Sequence, residues 1–422
     1  MKIAIIGAGA AGCFCAINIK RMLPSAQVEV LEASQRPLAK VAITGGGRCN
    51  LTNTFATVKS LQQVYPRGHQ LMKRLFHQFD QRQLMEWFER EGVRLTVQED
   101  QCVFPASQDA MQIVNTLIEA MRREGVRVNC KQKAKALSEA PTSSLKYCVC
   151  TECKSDIYDV VVVTTGGSPK RTGLDFLAPL QLEMVEPVPS LFTFKIDNPI
   201  TELMGVVVEE TSVTLAGTKL KAEGPLLITH WGMSGPAILK LSSQGARLLA
   251  EQQYKARLIV NWMGGKNEEA VRTQLEAALQ ANPQKQIGSI HLNADHALKS
   301  GATSAITSRL WHYLLQVSGI APERRCAEVG RKQLNKLIAT LTSDAYDING
   351  QSRFKEEFVT CGGVALSNID PNTLECKQHS NLYLAGEVLD VDAVTGGFNL
   401  QAAWTMGYCV ARAIANKAES QQ

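Results

Sequence analysis

Short, unbroken apolar runs recur along this 422-residue chain, and longer stretches with helical spacing lie between them. Ile3-Ala4-Ile5-Ile6 is the first run and Val28-Glu29-Val30-Leu31 the second. A third, Tyr158 to Thr165, is almost purely apolar and closes on Gly166-Gly167; a fourth, Leu382-Tyr383-Leu384, ends on Ala385-Gly386-Glu387. Runs this short and this apolar predict strands buried on both faces, the third a parallel one with its C-terminal end at a ligand crevice. Residues 68–91 predict one amphipathic helical stretch with Leu71, Leu75, Phe79, Leu84 and Phe88 inward, and residues 109–124 another helix stopped by Gly125. Val103-Phe104-Pro105 ends a short strand, and residues 126–137 and 146–150 read as strands of a β-meander.

The pattern changes near Pro187 and Pro189. Leu191 to Ile196, Val206 to Leu215, Leu226 to Thr229 and Arg257 to Trp262 alternate as strands of a small antiparallel unit. Ser234-Gly235-Pro236 predicts a helix start with Ser234 as N-cap and Pro236 in the first turn. Residues 267–281, 302–317 and 328–342 then predict three helices, broken by Asn282-Pro283 and by Gly319 to Pro322. From Glu357 the glycine-rich pattern resumes, and a last helix is expected over 399–416. The expected organisation is a discontinuous domain, 1–190 and 345–422, interrupted by an insert at 191–344 with a β part (191–262) and a helical part (263–344).

Glycine clusters carry the chemistry. Gly7-Ala8-Gly9-Ala10-Ala11-Gly12 follows the first strand directly, and Glu32 ends the second strand twenty residues beyond Gly12. Gly7 suits a sharp turn, Gly9 lets a pyrophosphate approach the backbone, and Gly12 lets the helix lie close to the sheet. The helix N-terminus then offers N–H groups and a positive dipole end to phosphates, and Glu32 would accept from an adenosine ribose. Thr44-Gly45-Gly46-Gly47-Arg48-Cys49-Asn50 can wrap a ligand closely, with Lys40 before it. Thr395-Gly396-Gly397-Phe398-Asn399 opens the final helix and makes a second glycine-positioned helix N-terminus.

Composition narrows the classes. A net charge of +5 over this length gives no reason to invoke nucleic acid, and no run of like charge forms a tail. No 18-residue apolar stretch predicts a membrane span, and Met1-Lys2 leads into a buried strand rather than a secretory signal. Twelve cysteines without a disulfide-framework layout point to a reducing cytosol, hence a cytoplasmic protein. Cys148, Cys150 and Cys153 cluster in an expected surface hairpin without a fourth zinc ligand nearby, and His291 and His296 lack helical ligand spacing, so no metal is expected.

Three separated glycine clusters suit a long, extended cofactor better than a nicotinamide alone. The first would hold a pyrophosphate, the second a ribityl chain and ring edge, and the last helix N-terminus a flavin pyrimidine ring. The sequence contains no second G-x-G-x-x-G behind a strand, so a nicotinamide donor would have to bind transiently at the exposed flavin face. The run 44–50 resembles the signature of a bacterial family of NAD(P)/FAD-dependent oxidoreductases that includes aminoacetone oxidase and a bile-acid-pathway reductase. Thr229-His230-Trp231-Gly232-Met233-Ser234-Gly235-Pro236, Thr360 to Val364, Leu384 to Asp392 and Thr395 to Asn399 are similar to it too, so the resemblance spans essentially the whole chain. It implies an α/β fold: a Rossmann-type, glutathione-reductase-like FAD domain interrupted by an insert with a small β-barrel and a helical bundle. It implies FAD contacts at Gly7, Gly9, Ala10, Ala11, Gly12, Glu32, Ala33, Lys40, Gly46, Gly47, Arg48, Cys49 and Asn50. It also implies the Ala134 backbone, Gly166, Gly386, Glu387, Gly397, Phe398, Asn399 and Leu400. Two positions depart from the family's pattern: Cys102 stands where an Arg often precedes the Phe-Pro pair, and Thr44 where Ser is common.

The expected function is a FAD-dependent oxidoreductase acting on a small or medium organic substrate, as a C=C reductase or an amine oxidase, with NAD(P)H a candidate donor. The alternative is an RNA-modifying flavoprotein or a flavin-bound interaction protein that uses the helical insert, whose charges are mixed. No acid/base pair stands out. Cys49, whose thiol could have a lowered pKa at a helix start, and His230, with Trp231 beside it facing the flavin from across the domain boundary, are the catalytic candidates. Cys13 and Cys15 read as packing, and Glu387 in its acidic cluster with Asp390 and Asp392 reads as a cofactor ligand rather than a base.

Overall fold

The structure is a computed structural model that describes residues 1–140, 143–168, 170–290, 306–351 and 359–420. The chain divides into two compact units, Met1–Pro189 with Lys355–Gln422, and Ser190–Phe354.

The first unit is built on buried parallel strands. β1 (Lys2–Ile6) leads into α1 (Ala10–Met22), and β2 (Gln27–Leu31) follows; Ile3, Ala4, Ile5 and Val30 are wholly buried. α2 (Ala39–Gly47) and β3 (Thr52–Asn53) come next. The stretch 68–91 is two helices, α3 (His69–Phe76) and α4 (Gln81–Arg90). Asp80 makes the break by accepting from the N–H groups of Arg82 and Gln83, while Gln83 reaches back to the Asp80 N–H, a capping box inside the periodic run. The apolar periodicity continues across the break, and Leu71, Leu75, Phe79, Leu84 and Phe88 are all buried.

β4 (Leu95–Val97) and β5 (Cys102–Pro105) form a small sheet with β3, and α5 (Ala110–Arg123) follows. The expected single strand over 126–137 is two strands in different sheets. β6 (Arg127–Asn129) pairs parallel with β2, and β7 (Ala134–Ala140) begins a meander with β8 (Ser143–Thr151) and β9 (Ser155–Tyr158). The chain changes sheets at Lys131, whose φ of 57° turns it. β10 (Val160–Val163) runs parallel to β1, and β11 (Met184–Ser190) closes this part of the unit.

In the second unit, β12 (Phe194–Lys195), β13 (Val207–Leu215), β14 (Lys221–Thr229) and β15 (Gly232–Ser234) precede α6 (Pro236–Gln244) and α7 (Ala246–Glu251). Ser234 does not cap α6. It ends β15 opposite Leu227, and Gly235 is the N-cap, with φ 92°. A Cβ at Gly235 would stand 2.9 Å from Leu227 N, so the turn passes too close to β14 for a side chain.

β16 (Ala256–Asn261) is followed by α8 (Glu268–Ala281), α9 (Ser308–Val317) and α10 (Arg331–Ser343); the first residues of the helix expected over 302–317, and His291 and His296, lie outside the described residues. β17 (Asp344–Ile348) and β18 (Gly350–Gln351) belong to this unit's sheet, so the chain leaves it later than residue 345. The strand order is β17-β16-β13-β14-β15-β12-β18, antiparallel throughout. Its two edge strands are separated only by Asn349, and adjacent Cα atoms lie about 3.8 Å apart, so the sheet curls back on itself as a small barrel.

The chain then returns to the first unit. β19 (Val359–Val364) pairs with β11, and β20 (Leu382–Leu384) joins β10, completing the parallel order β20-β10-β1-β2-β6. α11 (Phe398–Glu419) packs on α1 at backbone distance: a Cβ at Gly407 would lie 2.6 Å from Ala11 O.

Candidate dinucleotide and flavin site

The first unit brings the three glycine clusters together. At β1–α1, Gly7 has φ 108° and donates to Leu31 O at 2.8 Å, while the Thr164 hydroxyl donates to Gly7 O at 2.8 Å. A Cβ on Gly12 would stand 2.0 Å from Gly7 O and 2.5 Å from Thr164 Oγ1. Both glycines are therefore required by the protein's own packing.

Gly9 is different. Its backbone is extended (φ −83°, ψ −168°) and a Cβ would meet nothing within 4 Å. The fold does not require glycine there. It is the N-cap of α1, so a Ser, Asp or Asn would cap the first N–H groups; Gly9 leaves them to an outside acceptor, and no acid occupies the first turn. Glu32, at the tip of β2, accepts from Ala8 N and Ser34 N, each at 2.7 Å, which holds its carboxylate beside this turn. Ala33 is exposed next to it, and Ala134 opens β7 two residues after Gln132 N donates to Glu32 O.

The second cluster is a left-handed loop. Gly45, Gly46 and Gly47 have φ of 59°, 67° and 81°, a succession that side-chain-bearing residues resist. Gly46 and Gly47 face open space, as does Gly166 after β10. Arg48 is exposed, its guanidinium 4.5 Å over the Phe104 ring. Cys49 does not sit at a helix start: it has φ 60°, is wholly buried, and burial pushes its thiol up to about 12, the opposite of the expected lowering.

Specific contacts join the clusters. Asn50, with its amide turned to satisfy both ends, accepts from Gly397 N at 3.2 Å and donates to Thr52 O at 3.0 Å. A Cβ on Gly386 would stand 3.1 Å from Ala11 Cβ, so the turn after β20 touches the start of α1. Glu387 Oε1 accepts from Thr360 N at 2.6 Å, and Oε2 lies 4.0 Å from Lys40 Nζ. The acidic cluster resolves into separate partnerships: Asp390 accepts from Gly362 N at 3.0 Å, and the buried Asp392 pairs with Arg67. Asn399 accepts from Ala393 N and donates to Ala393 O, fixing the turn before α11. That helix begins at Phe398 with Leu400 in its first turn, and no acid stands there.

Several supporting residues carried no local sequence signal. Arg67 is 325 positions from Asp392. Asn53 donates to Gly396 O at 3.2 Å, and a Cβ at Gly167 would strike Glu387 Oε1 at 2.3 Å. Cys102 lies under this region, its sulfur 3.9 Å from Asn53 Nδ2, with burial raising its thiol to about 11. His230 and Trp231 belong to the second unit. They form the β14–β15 turn, their ring centroids 3.6 Å apart, and Trp231 O accepts from Ile196 N, so a packing reason for this motif exists within the barrel. Cys13 and Cys15 are buried within α1. Among the described residues no helix is long and apolar enough to cross a membrane.

A family profile described as the HI0933-like protein Rossmann domain matches residues 1–413. A 3-dehydro-bile acid delta(4,6)-reductase from Clostridium scindens is 29% identical over 99% of this chain and 99% of its own. A ribosomal RNA dihydrouridine synthase from Escherichia coli K12 is 25% identical over 97% of this chain and 96% of its own. Among solved structures, a 3-ketosteroid delta1-dehydrogenase from Sterolibacterium denitrificans superposes with a TM-score of 0.49 at 12% identity, covering 98% of this chain and 99% of that one.

Proposed function

Because the chain belongs to the HI0933-like family of Rossmann proteins, we propose that it is a FAD-dependent reductase of carbon–carbon double bonds conjugated to a carbonyl. Gly9 carries the cofactor half of this reading. It is a glycine at a helix N-cap where neither backbone strain nor packing requires one, aimed at open space. A pyrophosphate close to that backbone supplies the missing reason. The N–H groups of Ala10, Ala11 and Gly12 would hold it, Glu32 would accept from the ribose, and Gly46 and Gly47 would lie against the chain between phosphate and ring. The α11 N-terminus, its Phe398, Asn399 and Leu400 N–H groups lacking intrahelical acceptors, would favour negative charge at the ring's pyrimidine edge. Bound FAD would supply hydride chemistry; the protein's part is to hold it, bias its charge and shape access.

The names of the two full-length relatives support the reaction class. One describes reduction of a dehydro-bile acid across its Δ4,6 positions, the other conversion of uridine to its ring-saturated form. Both add hydrogen across a double bond conjugated to a carbonyl, which a hydride donor attacks at the carbon remote from the oxygen. A small or medium organic enone is the first substrate reading, with NAD(P)H the donor. RNA is the second, favoured by the Escherichia coli relative and by the exposed Arg331, Lys332 and Lys336 of α10. Anaerobic turnover of cyclic enones and dienones, beside uridine-rich RNA, separates the two. Enone-dependent oxidation of NAD(P)H supports the first, salt-dependent RNA binding with dihydrouridine formation supports the second, and neither product refutes the reaction class.

A further inference from the structure

The β7–β8–β9 meander carries a thiol pair that the cofactor site does not use. Strand alternation in β8 turns Tyr147 and Val149 into the core and sets Cys148 and Cys150 on the opposite, half-exposed face. Both thiols are free, and their sulfurs lie 3.8 Å apart. Residues two apart on a strand have Cα atoms about 6.6–6.8 Å apart, at the upper end of the roughly 4.4–6.8 Å that a disulfide spans. The pair can close, but under strain, and strained disulfides are the readily reduced ones.

The two thiols differ. Ser155, opposite Cys150 in register, donates its hydroxyl hydrogen to the Cys150 sulfur at 3.2 Å. Burial and the neighbouring Cys150 push the Cys148 thiol up, keeping it protonated. Cys153 is exposed in the turn that follows.

We infer that Cys148 and Cys150 form a peroxide-sensitive dithiol that closes reversibly to a same-strand disulfide. Cys150 attacks one oxygen of hydrogen peroxide; the O–O bond breaks, and the departing hydroxide takes the thiol proton to leave as water. The Cys148 sulfur then attacks the Cys150 sulfenic acid. The S–S bond forms, the S–O bond breaks, and a second water leaves with the Cys148 proton. Two thiols lose two electrons and two protons, and one peroxide becomes two waters.

The test uses the full chain treated with hydrogen peroxide, quenched by alkylation and digested with trypsin. One peptide, Tyr147–Lys154, holds all three cysteines. The expected product has lost two hydrogens, carries an alkyl group on Cys153, and reverts with dithiothreitol. Cys153→Ser leaves the loss unchanged. Cys148→Ser abolishes it and leaves Cys150 as a dimedone-reactive sulfenic acid. Alkylation of all three thiols after a dose that oxidises glutathione would overturn the inference. So would a disulfide that survives in Cys148→Ser, or direct passage of Cys150 to sulfinic acid in the unsubstituted protein. Far-ultraviolet circular dichroism confirms that each variant is folded.

Discussion

Replacing Gly9 with Ala separates a ligand's demand from the fold's. The backbone there is extended and the added methyl meets no protein atom within 4 Å, so folding without cofactor meets no clash. Removing glycine's extra unfolded-state freedom adds about 0.4–1 kcal/mol of stability, and alanine's weaker fit at the N-cap takes back about 0.5–1 kcal/mol, so the apoprotein's stability should stay nearly unchanged. The same methyl occupies the approach to the first N–H groups of α1. Forcing a pyrophosphate outward weakens two charge-assisted hydrogen bonds, worth about 1.5–3 kcal/mol each when fully made. Losing half of that, about 3 kcal/mol in the stronger case, weakens binding by roughly 100-fold. Reconstitution of apoprotein with FAD, followed by flavin fluorescence, gives the affinity, and thermal melting of the apoprotein gives the stability. The expected result is weaker FAD binding with a nearly unchanged apoprotein melting temperature. Unchanged affinity, or a melting temperature lowered by several degrees with affinity intact, would refute the reasoning.

Gly12→Ala should destabilise the apoprotein, since its Cβ would stand 2.0 Å from Gly7 O; overpacking of this kind costs about 1–3 kcal/mol, read as a lowered urea midpoint. Asp392→Ala leaves the largely buried Arg67 without its carboxylate and should cost about 3–5 kcal/mol by the same assay; a change below 1 kcal/mol would show that the pair does not anchor the loop before α11. Burial opposes ionisation of Glu91, but hydrogen bonds from Arg123 and Arg21 outweigh it and hold the carboxyl below its usual 4.5. Its stabilisation is therefore present above 4.5 and lost as pH falls through the lower folded value. Glu91→Gln should cost about 1–2 kcal/mol at neutral pH and nothing in strong acid, and a pH-independent difference would contradict this. Iodoacetamide at neutral pH should label the exposed Cys153 in the folded chain and spare Cys49, whose thiol is buried and pushed up to about 12.

Local pattern carried far where burial is two-sided. The runs at 3–6, 28–31 and 160–163 are strands of one parallel sheet because only a sheet covered on both faces accommodates such uniform apolarity. Boundaries failed where local detail overrode periodicity: the Asp80 side chain caps a new helix inside an unbroken apolar pattern, and the positive φ of Lys131 turns the chain between sheets. The glycine clusters were legible, but their reasons were not uniform. Gly7 and Gly12 are demanded by neighbouring backbone and by Thr164, whereas Gly9 faces open space, and sequence alone could not separate those cases. Arg67 and Asn53 were illegible because each acts through a partner hundreds of residues away. Cys49 misled because its left-handed, buried position depends on how the glycine loop before it folds.

The most direct test of the central claim is anaerobic mixing of the FAD-reconstituted, NADPH- or NADH-reduced protein with a 3-oxo-4,6-diene steroid. Return of the oxidised flavin band, with one equivalent of substrate gaining two hydrogens at the conjugated double bond, is the predicted result. A protein that takes up no FAD, or a reduced flavin that reduces neither such dienones, simpler enones nor uridine in RNA, would contradict the account.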